Sequence, residues 1–262
     1  MFNSDDIALI DVGGDVLANG ADAGLTNLLA DQLALTACVA SGIPTRLIVA
    51  APGIDGELSE AVVIDRLTQL NAKRLCNMES SDFTFNDVAS IEGVFSWHPS
   101  EASGLLAAAA RGHRGTVATR AACRHVQLSA STTALYSVLA SAAEAATPAA
   151  ALRDTCSLEH AEKIIYDATG VSELSCEFAK AKRLARQPTH MPHPADLATV
   201  DQHATAAQAA GAGADYISIR RLAELLGATT LPAFVALCAL LSAERPDQYE
   251  PSIYRTLPAA FS

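Results

Sequence analysis

Aromatic residues are scarce in this chain of 262 residues: they make up 5% of it, although 50% of the residues are hydrophobic. We therefore do not expect a β-sandwich with aromatic layers, and expect alanine-rich helices packed closely on a sheet. Positive charge is also scarce, with 18 Lys and Arg against 29 Asp and Glu and a formal net charge of −11. Because nucleic acid is bound by clustered Lys and Arg, this balance argues against a nucleic-acid partner.

Patterns typical of extracellular and membrane proteins are missing as well. The six cysteines form no Cys-x-x-Cys pair, which favours reduced, mostly buried thiols over a disulfide framework or a zinc knuckle. No apolar run reaches the length of a membrane span, so we expect no membrane partner. Residues 1–6 lack the basic region and apolar core of a signal peptide, and we expect a cytoplasmic protein.

Three cofactor and catalytic fingerprints are absent too. Without a Gly-x-Gly-x-x-Gly motif an NAD cofactor is not expected, and without Gly-x-Ser-x-Gly a Ser-His-Asp hydrolase is not expected. The glycine-containing segment 112–117 lacks the Lys-Ser/Thr ending of a phosphate-binding P-loop. Its glycines and Arg114, with Arg120 in support, are nevertheless candidates for binding an anionic substrate.

The most informative segment that is present is residues 7–15. An apolar run predicts a buried strand, and Gly13 and Gly14 predict a tight turn or a close approach of ligand, with Asp11 and Asp15 on either side. Because open α/β sheets bind ligands at the carboxyl ends of their strands, we expect both aspartates to face a catalytic crevice. The alternative is that Asp11 merely ends a strand and Asp15 caps the next segment.

A second loop, residues 52–57, repeats this pattern after a predicted strand at 46–51. Its Asp55 and Glu57 would join Asp11 and Asp15 at the same edge of the sheet. Four such carboxylates can hold a divalent cation, hydrogen-bond sugar hydroxyls, or divide into an acid and a base. Two ordinary Gly-Asp turns with a glutamate at a helix start are the structural alternative.

The third candidate is residues 96–101, which contain the only tryptophan. Here His98 can transfer protons near neutral pH, Glu101 can orient it, and Trp97 offers a face for stacking. A packed corner followed by an ordinary helix start, with Ser100 as N-cap, explains the same residues without a function.

The order of predicted elements favours an α/β fold. Strands are predicted at 46–51, 112–119, 125–128 and 214–219, and helices at 25–40, 58–70, 101–111 and 132–146. This alternation predicts a Rossmann-like, doubly wound, mostly parallel sheet with a helix-rich C-terminal half. We expect a single domain over 1–262, with a helical subregion at about 151–212 inserted before the last strand. The sequence is compatible with a homo-oligomer but does not determine the oligomeric state.

The same segments resemble DUF1152, a family of unknown function. The resemblance is carried by residues 11–15, 52–58, 93–101, 111–117 and 213–220, and it implies one domain around a sheet without an established activity. One departure lies at 173–181, where the resemblance implies a more polar stretch than Ser175, Cys176 and Phe178 provide. If that helix lines the site, the chain has a changed substrate or has lost its activity.

From these observations we expect an enzyme acting on a small polar metabolite: a nucleoside, a sugar or a phosphorylated intermediate of specialised metabolism. Hydrolysis or group transfer by carboxylates is the expected chemistry, with Asp11, Asp15, His98 and Glu101 as catalytic residues. The expected substrate-binding residues are Gly13, Gly14, Asp55, Glu57, Trp97, Arg114 and Arg120. The alternative is a non-catalytic ligand-binding protein or a partner subunit of a biosynthetic enzyme.

Overall fold

The computed structural model describes residues 5–22, 25–78, 100–120, 125–186, 188–210 and 213–257. Contacts divide the chain into two compact units. Unit 1 consists of Met1–Asn77 and Ala134–Lys182, and unit 2 consists of Met78–Thr133 and Arg183–Ser262. Each unit contains one mixed sheet, and the single domain expected from the sequence stays a prediction.

Unit 1 is built on a four-stranded sheet in the order β1-β2-β6-β3, with strands numbered along the chain. These strands are β1 (Ile7–Val12), β2 (Thr45–Ala50), β3 (Lys73–Asn77) and β6 (Ala134–Leu139). β1 and β2 run parallel, whereas β6 is antiparallel to both β2 and β3. The carboxyl ends of β1 and β2 therefore lie at the same edge of the sheet.

Helices pack on this sheet because alternate side chains of its strands are apolar. Leu47, Val49 and Val138 are buried in one core with residues of the helices. The helices are α1 (Leu28–Ala40), α2 (Glu60–Gln69), α4 (Ala140–Ala145), α5 (Ala149–Leu152), α6 (Leu158–Thr169) and α7 (Glu173–Arg186), the last of which runs on into unit 2.

Unit 2 has a five-stranded sheet in the order β5-β4-β7-β9-β8. Its strands are β4 (Gly115–Ala118), β5 (His125–Leu128), β7 (Tyr216–Ser218), β8 (Tyr249–Glu250) and β9 (Ile253–Arg255). β4 and β7 run parallel, and the other pairs are antiparallel.

The core of unit 2 lies between this sheet and its helices. Ile217, Phe234 and Leu237 are buried there together with Tyr254. The helices are α3 (Glu101–Ala110), α8 (Leu197–Ala209), α9 (Ile219–Leu225) and α10 (Leu231–Glu244). Ser100 caps α3 as expected, since its Oγ accepts a hydrogen bond from the Ser103 amide at 3.3 Å.

The α/β class predicted from the sequence is confirmed, but the doubly wound, mostly parallel sheet is not. The helix predicted at 132–146 is wrong in its first half, where Ala134–Leu139 forms β6 between β2 and β3. Alanines on both sides of this short strand extend a helical pattern through it, although Tyr136 and Val138 favour a strand. The strand predicted at 214–219 pairs in the second sheet, as β7.

Two further expectations concern the cysteines and the membrane. The five cysteines among the described residues are free, as expected, but Cys76, Cys156 and Cys176 are exposed rather than buried. Within the described ranges, no helix has both the length and the apolar character needed to cross a membrane.

Candidate functional site

The turn after β1 has the geometry that its sequence predicts. Gly13 and Gly14 have φ angles of 130° and 96°, values that side chains other than glycine rarely adopt. The Gly14 amide donates a hydrogen bond of 2.7 Å to Oδ2 of Asp11. Asp15 then begins a short helical turn, Asp15–Leu17, in which all three residues are buried. Both aspartates are thus held at the end of β1 by the backbone of the turn.

The loop after β2 lies directly against this turn. The Gly13 amide donates to the Ala50 carbonyl at 2.9 Å, and the Gly53 amide donates to the Gly13 carbonyl at 2.6 Å. A Cβ atom placed on Gly13 would lie 1.9 Å from Oδ2 of Asp55. The two loops therefore meet, as the sequence predicts, and Gly13 is the point where a carboxylate approaches the backbone.

Asp11 and Asp15 form a cluster with a third residue, Asp31, which is not among the site residues predicted from the sequence. One carboxylate oxygen from each of the three lies within 4.8 Å of the others. Asp11 and Asp15 are buried, with 9% and 8% of their surface exposed, and Asp31 is half-buried in the first turn of α1. We call Asp11, Asp15 and Asp31 the carboxylate cluster.

Burial and mutual repulsion make these carboxylates unusually weak acids. Burial, and then the charges of Asp31 and Asp55, raise the pKa of Asp11 to about 7. Burial, and then the charges of Asp11 and Asp55, raise the pKa of Asp15 to about 11. Burial, assisted by the charges of Glu57 and Asp31, raises the pKa of Asp55 to about 6, and burial is also the main reason that the pKa of Asp31 is raised.

Protons can be shared within the carboxylate cluster. One oxygen of Asp15 lies within 4.8 Å of an oxygen of Asp11 and of Asp31, so a proton on Asp15 can be donated to one neighbouring carboxylate at a time. Among the described residues, no Lys or Arg forms an ion pair with any of these three carboxylates or with Asp55. Oδ2 of Asp55 is buried without a hydrogen-bond partner. In the described part of the chain, protons are therefore what reduces the negative charge here, and a bound cation is another way to compensate it.

Glu57 has a different role from the aspartates. Its carboxylate accepts hydrogen bonds from the amides of Thr26 and Asn27, at 2.8 and 3.4 Å, and from the side chains of both residues. These groups precede α1, whose N-cap residue Asn27 makes no side-chain cap of its own. Glu57 thus satisfies free donors at the start of α1, and it is buried in doing so.

Glu173, at the start of α7, supports the same helix start. Its Oε2 accepts a hydrogen bond of 2.6 Å from the Leu29 amide, across 144 residues of sequence. Burial, together with the charges of Asp31 and Glu57, raises the pKa of Glu173. The two glutamates hold the first turn of α1, and with it Asp31, beside the turn after β1.

We expect Gly13→Ala to destabilise the protein by about 1–3 kcal/mol, because alanine is strained at this φ and its Cβ overlaps Asp55. Chemical denaturation measures the effect. Gly42→Ala is the control: its φ is 72°, but a Cβ there meets no atom within 4 Å. An equal decrease in the free energy of unfolding for the two variants would show that Asp55 is not held against Gly13.

The other predicted site residues that the structure describes belong to unit 2. Glu101 accepts hydrogen bonds from the Arg120 amide and from Arg120 Nε, the latter at 3.3 Å. Arg114 donates from Nη1 to the carbonyls of Ala109 and His113, so it closes the end of α3. Trp97 and His98 lie outside the described residues.

The departure at 173–181 maps to α7. Ser175, Cys176 and Phe178 are exposed on this helix, whereas Glu173 contacts α1. The altered side chains therefore do not reach the carboxylate cluster through buried contacts, and the glutamate that supports the cluster is retained.

Asp31 and Glu173 were not predicted as site residues, and the sequence contains a signal for only the first of them. Asp31 is the only charged residue in the 13 residues of α1, a signal that was present in the sequence. Glu173 has no comparable signal, because its contact with α1 depends on how α7 packs.

A family model described as "Protein of unknown function (DUF1152)" matches residues 1–181. The predicted resemblance is thereby confirmed, and of its segments only 213–220 lies outside the matched residues. No curated protein and no solved structure matches the chain. Asp11, Asp15, Asp31, Asp55, Glu57 and Glu173 all lie within the matched residues.

Proposed function

The chain belongs to the DUF1152 family, whose description names no activity, and from its carboxylates we propose an enzyme that acts on a small polar metabolite by hydrolysis or group transfer. Asp11, Asp15 and Asp31 bind a divalent cation in this proposal. The substrate is a nucleoside, a sugar or a phosphorylated intermediate, as expected from the sequence.

One observation carries the proposal: three carboxylates converge within 4.8 Å at the end of a parallel strand. Burying them costs free energy unless a proton or a cation compensates, and a fold gains nothing from this cost. Hard divalent cations prefer carboxylate oxygens in such numbers. The carboxyl end of parallel strands is also where α/β proteins place their ligands.

The donor set fits a hard cation such as Mg²⁺ or Mn²⁺, since it contains oxygen ligands and no cysteine or histidine. A bound cation would supply charge to polarise a substrate oxygen and to lower the pKa of a bound hydroxyl group. Asp55, which lies beside the cluster and whose pKa is raised to about 6, would accept a proton from a substrate hydroxyl. Gly13 and Gly14 shape the turn for this role, because a Cβ on Gly13 would meet Asp55 and one on Gly14 would meet Val63.

A non-catalytic ligand-binding protein or partner subunit is the second candidate. The observation that favours it is the absence, within the described part of unit 1, of a His, Lys or Arg bonded to the carboxylate cluster. Such a group commonly stabilises the charge that develops during hydrolysis or group transfer. Glu57 and Glu173 are engaged with α1 and do not fill this role.

We expect divalent cations to stabilise the wild-type protein in a thermal-shift screen, and nucleosides, sugars or sugar phosphates to add to this stabilisation. Turnover of the stabilising ligand is then measured with and without cation, in wild type and Asp11→Asn. Cation-dependent turnover that falls by about 100-fold or more in Asp11→Asn supports the enzyme. Full activity of Asp11→Asn removes Asp11 from the mechanism, and ligand stabilisation without turnover favours the binding protein.

A further inference from the structure

A second group of charged residues lies in unit 2, where β4 and β7 end. The two strands are parallel neighbours, with Ala118 in register with Ile217. Arg120 follows the end of β4, and Arg220 follows the end of β7 by two residues. Both arginines thus occupy the edge of this sheet at which α/β proteins place ligands.

Arg220 is half-buried and lacks the partners that a buried guanidinium normally has. Its Nε is buried without a hydrogen-bond partner, and the described residues give it no ion pair. Its guanidinium lies over the ring of Phe234, whose centroid is 5.6 Å from Cζ. The face of the ring attracts the positive charge, but it offers no oxygen acceptor for the five N–H donors of the guanidinium.

The carboxylates in the neighbourhood are committed to other groups. Glu101 accepts bonds from the Ser218 hydroxyl, from the Arg120 amide and from Arg120 Nε. Glu224 accepts a bond of 3.1 Å from Arg221. Burial, followed by the charge of Arg120, lowers the pKa of Arg220 against the opposing effect of Glu101 and Glu224. Within the described part of unit 2, Arg220 therefore has no carboxylate bonded to it.

We propose that the end of β4 and the end of β7 form an oxyanion-binding site, in which Arg220 and Arg120 bind a phosphate or carboxylate group of a small ligand. The guanidinium fork of Arg220 matches two oxygens of either group. Glu101 is a positioning residue, since it fixes both the backbone and the side chain of Arg120 and ties them to Ser218 at the end of β7.

The residues of this site belong to unit 2, whereas those of the carboxylate cluster belong to unit 1. It also differs from the anion site expected at 112–117. The Arg114 guanidinium there is bonded to carbonyl oxygens, whereas Arg120 is bonded to Glu101 and lies near enough to Arg220 for their charges to repel.

Isothermal titration of the full chain with inorganic phosphate, and separately with acetate, tests the proposal. Arg220→Met should weaken the binding of the oxyanion by about tenfold or more, because it removes a charge-assisted pair of hydrogen bonds. Arg255→Met is the matched control. Arg255 also lies over an aromatic ring, that of Tyr216 at 5.4 Å, but it pairs in register with the start of β7 rather than following its end.

A structural role for Arg220 predicts a different result. If Arg220 only packs on Phe234, Arg220→Met lowers the melting temperature equally with and without phosphate. The oxyanion site predicts that phosphate raises the melting temperature of wild type and Arg255→Met but not of Arg220→Met. Should Arg220→Met fail to fold, Arg220→Lys keeps the charge without the fork and should still bind phosphate several-fold more weakly.

Saturable binding of phosphate or of acetate that depends on Arg220 supports the site and identifies which oxyanion it prefers. Absence of saturable binding of both anions to the wild-type chain overturns it, as does unchanged affinity in Arg220→Met and Arg220→Lys. The titrations are made with chelator, so that no cation at the carboxylate cluster contributes to phosphate binding, and failure here is distinguishable from failure of the cation site.

Discussion

Replacing Asp15 by Asn should increase the free energy of unfolding of the cation-free protein at pH 7, although it removes an acidic group from the candidate site. Because the pKa of Asp15 is raised to about 11 in the folded state, folding must take up a proton that the unfolded chain has lost. Asparagine needs no proton and can donate to the same neighbours. We expect a gain of between about 1 and 4 kcal/mol, measured by chemical denaturation in the presence of a chelator.

Asp22→Asn is the control for this result. Asp22 is also a largely buried carboxylate of unit 1, but it forms a 2.5 Å ion pair with Arg66. Its replacement should therefore destabilise the protein, because it leaves Arg66 with one charged partner fewer. Loss of stability in both variants would contradict the view that charge at Asp15 is uncompensated.

The same Asp15→Asn variant should lose cation binding. Removing one of three carboxylate ligands is expected to lower the affinity for Mg²⁺ or Mn²⁺ by about tenfold or more, as measured by calorimetry. Stability and binding thus change in opposite directions. This combination is typical of a functional site and is not expected of a residue that serves only the fold.

The second prediction concerns pH. The cation-free protein should lose stability as the pH rises from about 5.5 to 8, because the pKa values of Asp55, Asp11 and Asp15 are raised to about 6, 7 and 11. In the unfolded chain each of these groups releases its proton at a pH of about 3.9, and in the folded state it keeps the proton to a higher pH. For each such group, the free energy of unfolding therefore falls by about 1.4 kcal/mol per pH unit between its pKa in the unfolded chain and its pKa in the folded protein.

Saturating Mg²⁺ or Mn²⁺ should remove this loss, because a bound cation needs ionised carboxylates and its affinity rises as they release their protons. Denaturation at several pH values, with cation and with chelator, measures both curves. The slope of Asp15→Asn should be shallower than that of wild type between pH 7 and 8. A wild-type stability that is flat or that rises over this range with chelator would contradict the assignment of retained protons to the cluster.

The part of the candidate site that local sequence rules govern was predictable. A strand followed by Gly13 and Gly14 determines where Asp11 lies, and a second strand with the same pattern brings Asp55 to the same edge. Asp31 and Glu173 depend on the packing of α1 and α7 against that edge. Such contacts join residues that are far apart in the sequence, and no local sequence motif predicts them.

The sheets illustrate the same limit. The parallel pair β1–β2 follows from the strand-helix-strand order. The position of β6 between β2 and β3 depends instead on pairings across 56 or more intervening residues, such as Asn77 with Ala134. Antiparallel pairing at that distance leaves no periodic signal. The alanine content around β6 then made a strand look like part of a helix.

Anomalous diffraction from crystals of the protein grown with Mn²⁺ shows whether Asp11, Asp15 and Asp31 hold a divalent cation. We expect one anomalous peak bonded to an oxygen of each of the three carboxylates, at about 2.2 Å, and a much weaker peak in Asp15→Asn at the same Mn²⁺ concentration. Wild-type crystals without a peak between these residues, with their carboxylates still paired through protons at saturating Mn²⁺, would contradict it.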